Sequence, residues 1–179
     1  MLVLPQQPGW MPRIRPPRQD ELEALRWIER DAGRQFAAIG MTEIAFDEPP
    51  AIAELEAMRS RGQAWVAVGP ADRPIAYLLS STVDKCAHID QVSVASTHSR
   101  RGLGAVLIEH LAMGARAEDR PALTLTTFRD VPWNAPYYER LGFRVVAPAD
   151  QGPELAARVH REALTIPGNA ARVAMRRRL

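Results

Sequence analysis

Residues 92–105, Val-Ser-Val-Ala-Ser-Thr-His-Ser-Arg-Arg-Gly-Leu-Gly-Ala, constrain this chain more than any other stretch. They read as the end of a strand, a short polar loop, two arginines and a Gly-x-Gly turn that opens a helix. The first N–H groups of a helix have no partner inside it and carry the positive end of its dipole. Glycine lets a phosphate come close to those groups. Residues 100–105 therefore read as an anion site, with a pyrophosphate as the first candidate. A nucleotide-binding loop fits less well. There is no Gly-x-x-x-x-Gly-Lys-Ser/Thr, and Leu107 stands where a third glycine would complete Gly-x-Gly-x-x-Gly.

A chain of 179 residues is by default one domain with a real core. Residues 1–12 hold Pro5, Pro8, Gly9 and Pro12 and read as a loose extension, with Met11 an alternative start to Met1. Residues 13–179 read as the single domain. The net charge of +2 is too weak for a polyanion footprint, so no nucleic acid is expected. Cys86 is the sole cysteine, which excludes an internal disulfide and a cysteine metal cluster; no metal is expected. No apolar run approaches the roughly 20 residues that span a bilayer, and the start lacks a basic lead. No membrane is expected, and the cytoplasm is the simplest location.

In chain order the pattern predicts a strand at 13–15, stopped by Pro16-Pro17, and a helix over 20–31 ended by Gly33. An irregular connection over 34–49 carries Phe36, Ile39, Met41, Ile44 and Phe46. A second helix follows at 51–61, with Ile52, Leu55 and Met58 on one stripe. Strands at 64–68, 74–81 and 87–94 have meander spacing and are expected antiparallel. The helix at 102–117 places Leu103, Val106, Leu107, His110 and Leu111 on one face. A strand at 122–128 after it implies a right-handed crossover and a parallel pair. A short helix at 132–141 ends at Gly142 as a left-handed cap. A strand at 143–146, a helix at 153–164 and a last strand at 171–176 complete the chain.

This order, together with Asp90 to Gly104 and Tyr138-Glu139-Arg140-Leu141-Gly142-Phe143, resembles the GNAT-type N-acetyltransferase superfamily over residues 13–178. The resemblance implies an α/β (α+β) fold. Its mixed, mostly antiparallel sheet of six to seven strands is flanked by helices and splayed at the cofactor site. It implies acetyl-CoA as donor and an amine of a small molecule, peptide or protein as acceptor, acetylated by direct attack in a ternary complex. The alternative on the same fold is a non-catalytic acyl-CoA-binding or regulatory module. A homodimer is compatible, since family members often pair.

By the resemblance, backbone N–H groups of Arg100, Arg101, Gly102, Leu103, Gly104 and Ala105 hold the pyrophosphate. A strand bulge among Val92, Ser93 and Val94 presents an N–H to the thioester carbonyl. Tyr138 protonates the leaving thiolate. The chain departs from the family at Ser99, where Gln or Arg is usual, and at Val131, where Asn is frequent. Asn134, in a local variant of that segment, either caps the short helix or touches the cofactor.

An alkyl ammonium must lose a proton before it attacks. Asp90 is the leading base; as a solvent-exposed carboxylate it would act through water. His88, two residues earlier on the strand, is the rival. His110 and His160 read as structural or exposed. Phe36, Met41, Phe46, Glu43, Asp47 and Glu48 lie in the connection that lines the acceptor side in the family.

Overall fold

A computed structural model describes residues 12–165 and 171–179. The extension expected at residues 1–12, with both candidate starts, lies almost wholly outside them.

The strands are β1 (Arg13–Arg15), β2 (Ala64–Val68), β3 (Pro74–Val83), β4 (Cys86–Val94), β5 (Ala122–Phe128), β6 (Arg144–Val145) and β7 (Arg172–Arg178). They form a seven-stranded sheet in the order β1-β2-β3-β4-β5-β7-β6. The helices are α1 (Leu22–Gly33), α2 (Thr42–Ala45), α3 (Ile52–Ser60), α4 (Leu103–Ala117), α5 (Ala135–Arg140) and α6 (Pro153–Thr165). The expected crossover is present: β4, α4 and β5 follow in sequence, and β4 and β5 pair in parallel, His88 opposite Thr124. β1–β2, β2–β3, β5–β7 and β6–β7 are antiparallel.

The contacts divide the chain into two compact units. One comprises the chain up to Leu79 together with Gln91–His110. Its core is the inner face of α1 (Leu22, Leu25, Ile28) and Leu55 of α3, packed on Val66, Val68, Tyr77 and Leu79 of the strands. Helical spacing turns those three α1 residues to one side, and strand alternation turns Val66 and Val68 to meet them. Asp72, in the β2–β3 turn, accepts from Arg13, Arg15 and Arg18 and ties the start of the chain to that turn.

The other unit comprises Ser80–Asp90 and Leu111–Leu179. Asp84 and Lys85 connect β3 to β4 with positive φ at both, 48° and 66°, as a type I′ hairpin turn requires. Leu155 and Val159 of α6 pack with Val83, Val146 and Ala174. β6 is a two-residue edge strand with both side chains exposed, shorter than the 143–146 expected.

Three local expectations are corrected and one is refined. Gly33 is the last residue of α1, as expected, but not as a left-handed cap: its φ is −64°, and the chain runs on as a 3-10 turn over Arg34–Ile39 to Gly40, at φ 80°. Glycine suits position 33 for space, because a Cβ there would lie 3.3 Å from the Ala45 carbonyl oxygen. The connection at 34–49 is accordingly less irregular than expected, since it folds as that turn plus α2. Ile52 is exposed, because it opens α3 while Leu55 faces inward. The buried stripe of α4 is Leu103, Leu107, Ile108, Ala112 and Ala115, rotated from the expected one and leaving Val106, His110 and Leu111 half-buried.

Candidate active site

In the first unit, β4 ends at Val94 with Val92 and Val94 half-buried and Ser93 buried. The Ala95 N–H donates to the Ile75 carbonyl at 2.9 Å, and the Ser96 N–H to Asp31 of α1 at 2.6 Å. These two bonds anchor the start of the loop. A 3-10 turn over Ser96–His98 follows. Arg100 then takes φ 59° and Gly102 φ 79°, with Arg101 between them. Left-handed residues so close together turn successive N–H groups toward one concavity, the geometry of an anion nest.

The first helical bond of α4 is donated by Val106 to the Gly102 carbonyl at 3.0 Å. The N–H groups of Leu103, Gly104 and Ala105 precede it and point out of the helix end. No acidic residue occupies the first turn of α4, and Arg100 and Arg101 are both exposed. A Cβ on Gly102 would meet nothing within 4 Å, so space lies open above the loop. Serine at 99 offers no long cationic side chain, which leaves Arg100 and Arg101 as the arginines beside the backbone N–H groups of the loop.

In the second unit, α5 begins after Asn134 and carries Tyr137 and Tyr138. Gly142, at φ 87°, closes it as a left-handed cap. The Phe143 N–H returns to the Tyr138 carbonyl at 3.1 Å and the Gly142 N–H to that of Glu139 at 3.0 Å, a Schellman pair. The Leu-Gly-Phe segment thus fixes the backbone at Tyr138. The Tyr138 ring is half-buried, edge-on to Tyr137 and to Phe143 with centroids 5.3 and 5.8 Å away. Burial pushes its phenol well above the ordinary value, so it stays protonated at neutral pH. Asn134 makes no side-chain cap on α5. Its amide donates instead to Thr127 Oγ1 at 2.8 Å, which corrects the capping alternative.

Asp90 is not solvent-exposed, which corrects the expectation for it. It is half-buried, accepts from Ser81 Oγ at 2.9 Å, and pairs with Arg158 of α6. Desolvation raises its carboxyl, while Arg158 and then Ser81 pull the other way. Its Oδ2 is buried with no partner. His88 is wholly buried, with Nδ1 2.9 Å from Thr124 Oγ1 and no partner for Nε2. Burial, helped by Arg158, drops its pKa to about 3, so it is a neutral core imidazole.

Two further histidines sit as read: His110 is half-buried edge-on to Trp65, with centroids 4.6 Å apart, and His160 is exposed. Cys86 is buried, and desolvation raises its thiol. On the connection, Phe46 is 68% exposed, and Glu48 is held by Arg26 and Arg30 of α1. Among the described residues no cluster of three or more His, Cys, Asp or Glu could hold a metal ion, and no helix is long and apolar enough to cross a membrane.

Sequence reading missed Glu29, Tyr77 and Arg158. Tyr77 sits in an apolar strand run and Glu29 and Arg158 on helices rich in charge, so no local pattern marks them.

The profile of the Acetyltransferase (GNAT) family matches residues 18–143. The chain belongs to that family. Its fold is shared with a GNAT acetyltransferase of Staphylococcus aureus Mu50, at TM-score 0.71 and 12% identity, over 94% of this chain and 99% of that one. It is shared also with the PaiA N-acetyltransferase of Thermoplasma acidophilum, solved with coenzyme A, at TM-score 0.69 and 14% identity, over 95% and 100%. The ribosomal-protein-S18-alanine N-acetyltransferase of Escherichia coli matches at TM-score 0.64 and 18% identity, over 94% of both chains. As a GNAT acetyltransferase the chain is an enzyme of acetyl transfer, and the match takes in the loop before α4, Tyr138 and Gly142.

Proposed function

We propose that this enzyme transfers the acetyl group of acetyl-CoA to an amine of a small molecule, peptide or protein, by direct attack while both are bound. The observation that carries the reading is the left-handed pair Arg100 and Gly102 at the start of α4, with no acid in that helix's first turn. An anion laid there gains N–H donors and the positive helix end at once. Arg100, Arg101, Gly102, Leu103, Gly104 and Ala105 take the pyrophosphate of coenzyme A in this reading. N–H groups among Val92, Ser93 and Val94 meet the negative charge that grows on the thioester oxygen. The Tyr138 phenol, kept protonated by burial, gives its proton to the departing sulfur.

Asp90 enters this reading only after Arg158 lets go. Desolvation raises its carboxyl, but its Oδ1 already accepts from Arg158 and Ser81, and the guanidinium repels an incoming ammonium. Asn134 contributes to the cofactor side through its placement by Thr127. A cytoplasmic location belongs to the same reading.

The test is release of free coenzyme A thiol from acetyl-CoA across a panel of primary amines: amino acids, polyamines and peptides with free N-termini. The expected result is amine-dependent thiol release with an acetylated product. Tyr138→Phe should slow turnover by about tenfold or more, with acetyl-CoA affinity unchanged. Acetyl-CoA binding without amine-dependent release would instead assign a non-catalytic acyl-CoA-binding module.

A further inference from the structure

The second unit holds a cavity that the chemistry above leaves unused. The pairing of β2 with β3 stops at Leu79, while β3 runs on to Val83. Past that point Thr82 and Val83 of β3 and one flank of α6 line a cavity of about 410 Å³. That volume suits a small molecule. Helical spacing brings Glu154, Ala157, Arg158 and Arg161 to the same flank, and all four line the cavity.

Two of the three charged residues in this lining are arginines. The one acid is committed elsewhere: Glu154 Oε2 accepts from the Asp84 N–H at 2.5 Å. Arg161 is exposed, and the Arg158 side chain keeps 25% of its exposure. Arg158 also links the cavity to Asp90. Its Nη1 donates to Asp90 Oδ1 at 2.5 Å, and its Nη2 lies 3.5 Å from Ser81 Oγ. A guanidinium and a carboxylate can form two parallel bonds, yet Asp90 Oδ2 is buried with no partner. Arg158 thus holds its aspartate by one prong of the fork.

We propose that the cavity binds a small carboxylate on Arg158 and Arg161, and that this ligand draws Arg158 away from Asp90. The guanidinium already holds a carboxylate, so the exchange is between groups of one chemistry. The incoming group is free to turn and meet both prongs, and Arg161 adds a second cation. Val83 and Ala157 give its carbon chain an apolar wall. Asp90 keeps its bond from Ser81 Oγ at 2.9 Å. The consequence for catalysis rests on the acetyl-transfer reading above: Asp90 serves there only once Arg158 has left, and the ligand causes that departure. The carboxylate comes either from the acceptor, as an amine that also carries an acid group, or from a separate effector.

The experiment is isothermal titration of acetate, propionate, succinate and glutarate, each set beside its amide, into the full chain. At least one carboxylate should bind wild type about tenfold or more tightly than its amide, and Arg158→Gln should erase that difference. Arg161→Gln, at an exposed position that folding does not depend on, should weaken the same carboxylate by about threefold or more. Asp90→Asn removes the competing carboxylate and keeps its shape, so it should tighten binding by about threefold or more. No preference for any carboxylate over its amide would overturn the site, as would unaltered binding in both arginine variants. Unaltered or weaker binding in Asp90→Asn would overturn the exchange. Turnover then separates the two sources. For an acceptor carboxylate, kcat/KM should favour an amino acid over its amide by about tenfold or more, and Arg158→Gln should abolish the preference. For an effector, the carboxylate that binds should raise kcat with an amine that lacks an acid group, and Arg158→Gln should not respond. Neither effect in an active wild type would overturn the release of Asp90. Wild type that acetylates no amine would overturn the acetyl-transfer reading instead, while the titrations still decide the site.

Discussion

The Asp84 carboxylate, in the turn between β3 and β4, caps α6 from 71 residues away: it accepts from the Leu155 N–H at 2.9 Å and from the Glu154 N–H at 3.1 Å. Glu154 returns the contact, accepting from the Asp84 N–H at 2.5 Å. This is the reciprocal logic of a capping box, supplied by a hairpin instead of the residue before the helix. It secures the N-terminus of the helix that presents Arg158 to Asp90.

Asp84→Ala should cost about 1–2 kcal/mol, the usual worth of an N-cap carboxylate. Gly152→Ala should cost a comparable amount, because its Cβ would fall 2.4 Å from the Asp84 carboxyl carbon. Combined, the two should cost less than their sum, since both act on one contact. Urea unfolding of the two single variants and the double variant checks this.

Stability should fall on mild acidification because of His88. Its folded pKa, about 3, lies below the ordinary value near 6.5. The stability it confers is thus complete above about pH 6.5 and is lost as pH drops toward 3, at up to about 1.4 kcal/mol per pH unit. Denaturation midpoints of wild type between pH 7 and pH 4, set beside those of His88→Gln, test this. The variant should show a clearly shallower decline over that range.

The Arg158–Asp90 pair predicts the opposite slope when one partner goes. Arg158→Met leaves Asp90 half-buried without its cation, at a cost of about 2 kcal/mol near neutral pH for a partly shielded pair. Desolvation already raises the Asp90 carboxyl, and removing Arg158 raises it further. A raised carboxyl favours the folded state when protonated, so that contribution is complete below the unfolded pKa and lost as pH climbs. The gap between Arg158→Met and wild type should therefore narrow as pH falls from 7 to 5, measured by urea unfolding.

The architecture was readable in the sequence because its signals are local. Helical spacing in Leu22, Leu25 and Ile28, the β-rich run Ala122–Phe128 and the glycine at 142 each specify their element without reference to distant residues. The parallel pairing of β4 with β5 followed from the strand–helix–strand order alone. The turn that opens α4 was legible for the same reason, since glycine at 102 and arginines at 100 and 101 lie next to one another. The state of Asp90 was not legible. Its partner Arg158 is 68 residues away, on a helix whose pattern specifies an inward face but not which sheet residue that face meets. The Tyr77–Glu29 hydrogen bond was hidden likewise, since it joins a strand and a helix 48 residues apart in sequence. Gly33 shows the converse limit: a glycine at a helix end reads as a cap, and here it serves the close approach of α2.

The central claim is that the loop before α4 grips the pyrophosphate of acetyl-CoA. Isothermal titration of acetyl-CoA into wild type, Gly102→Glu and Arg100→Glu, with S-acetylpantetheine as a ligand lacking the pyrophosphate, measures it most directly. Wild type should bind acetyl-CoA more tightly than S-acetylpantetheine. Each variant, placing a carboxylate beside the anion, should weaken acetyl-CoA by about tenfold or more, near 1.4 kcal/mol, while leaving S-acetylpantetheine binding unchanged. Equal affinity for the two ligands in wild type, or acetyl-CoA binding indifferent to both substitutions in folded protein, would contradict the account.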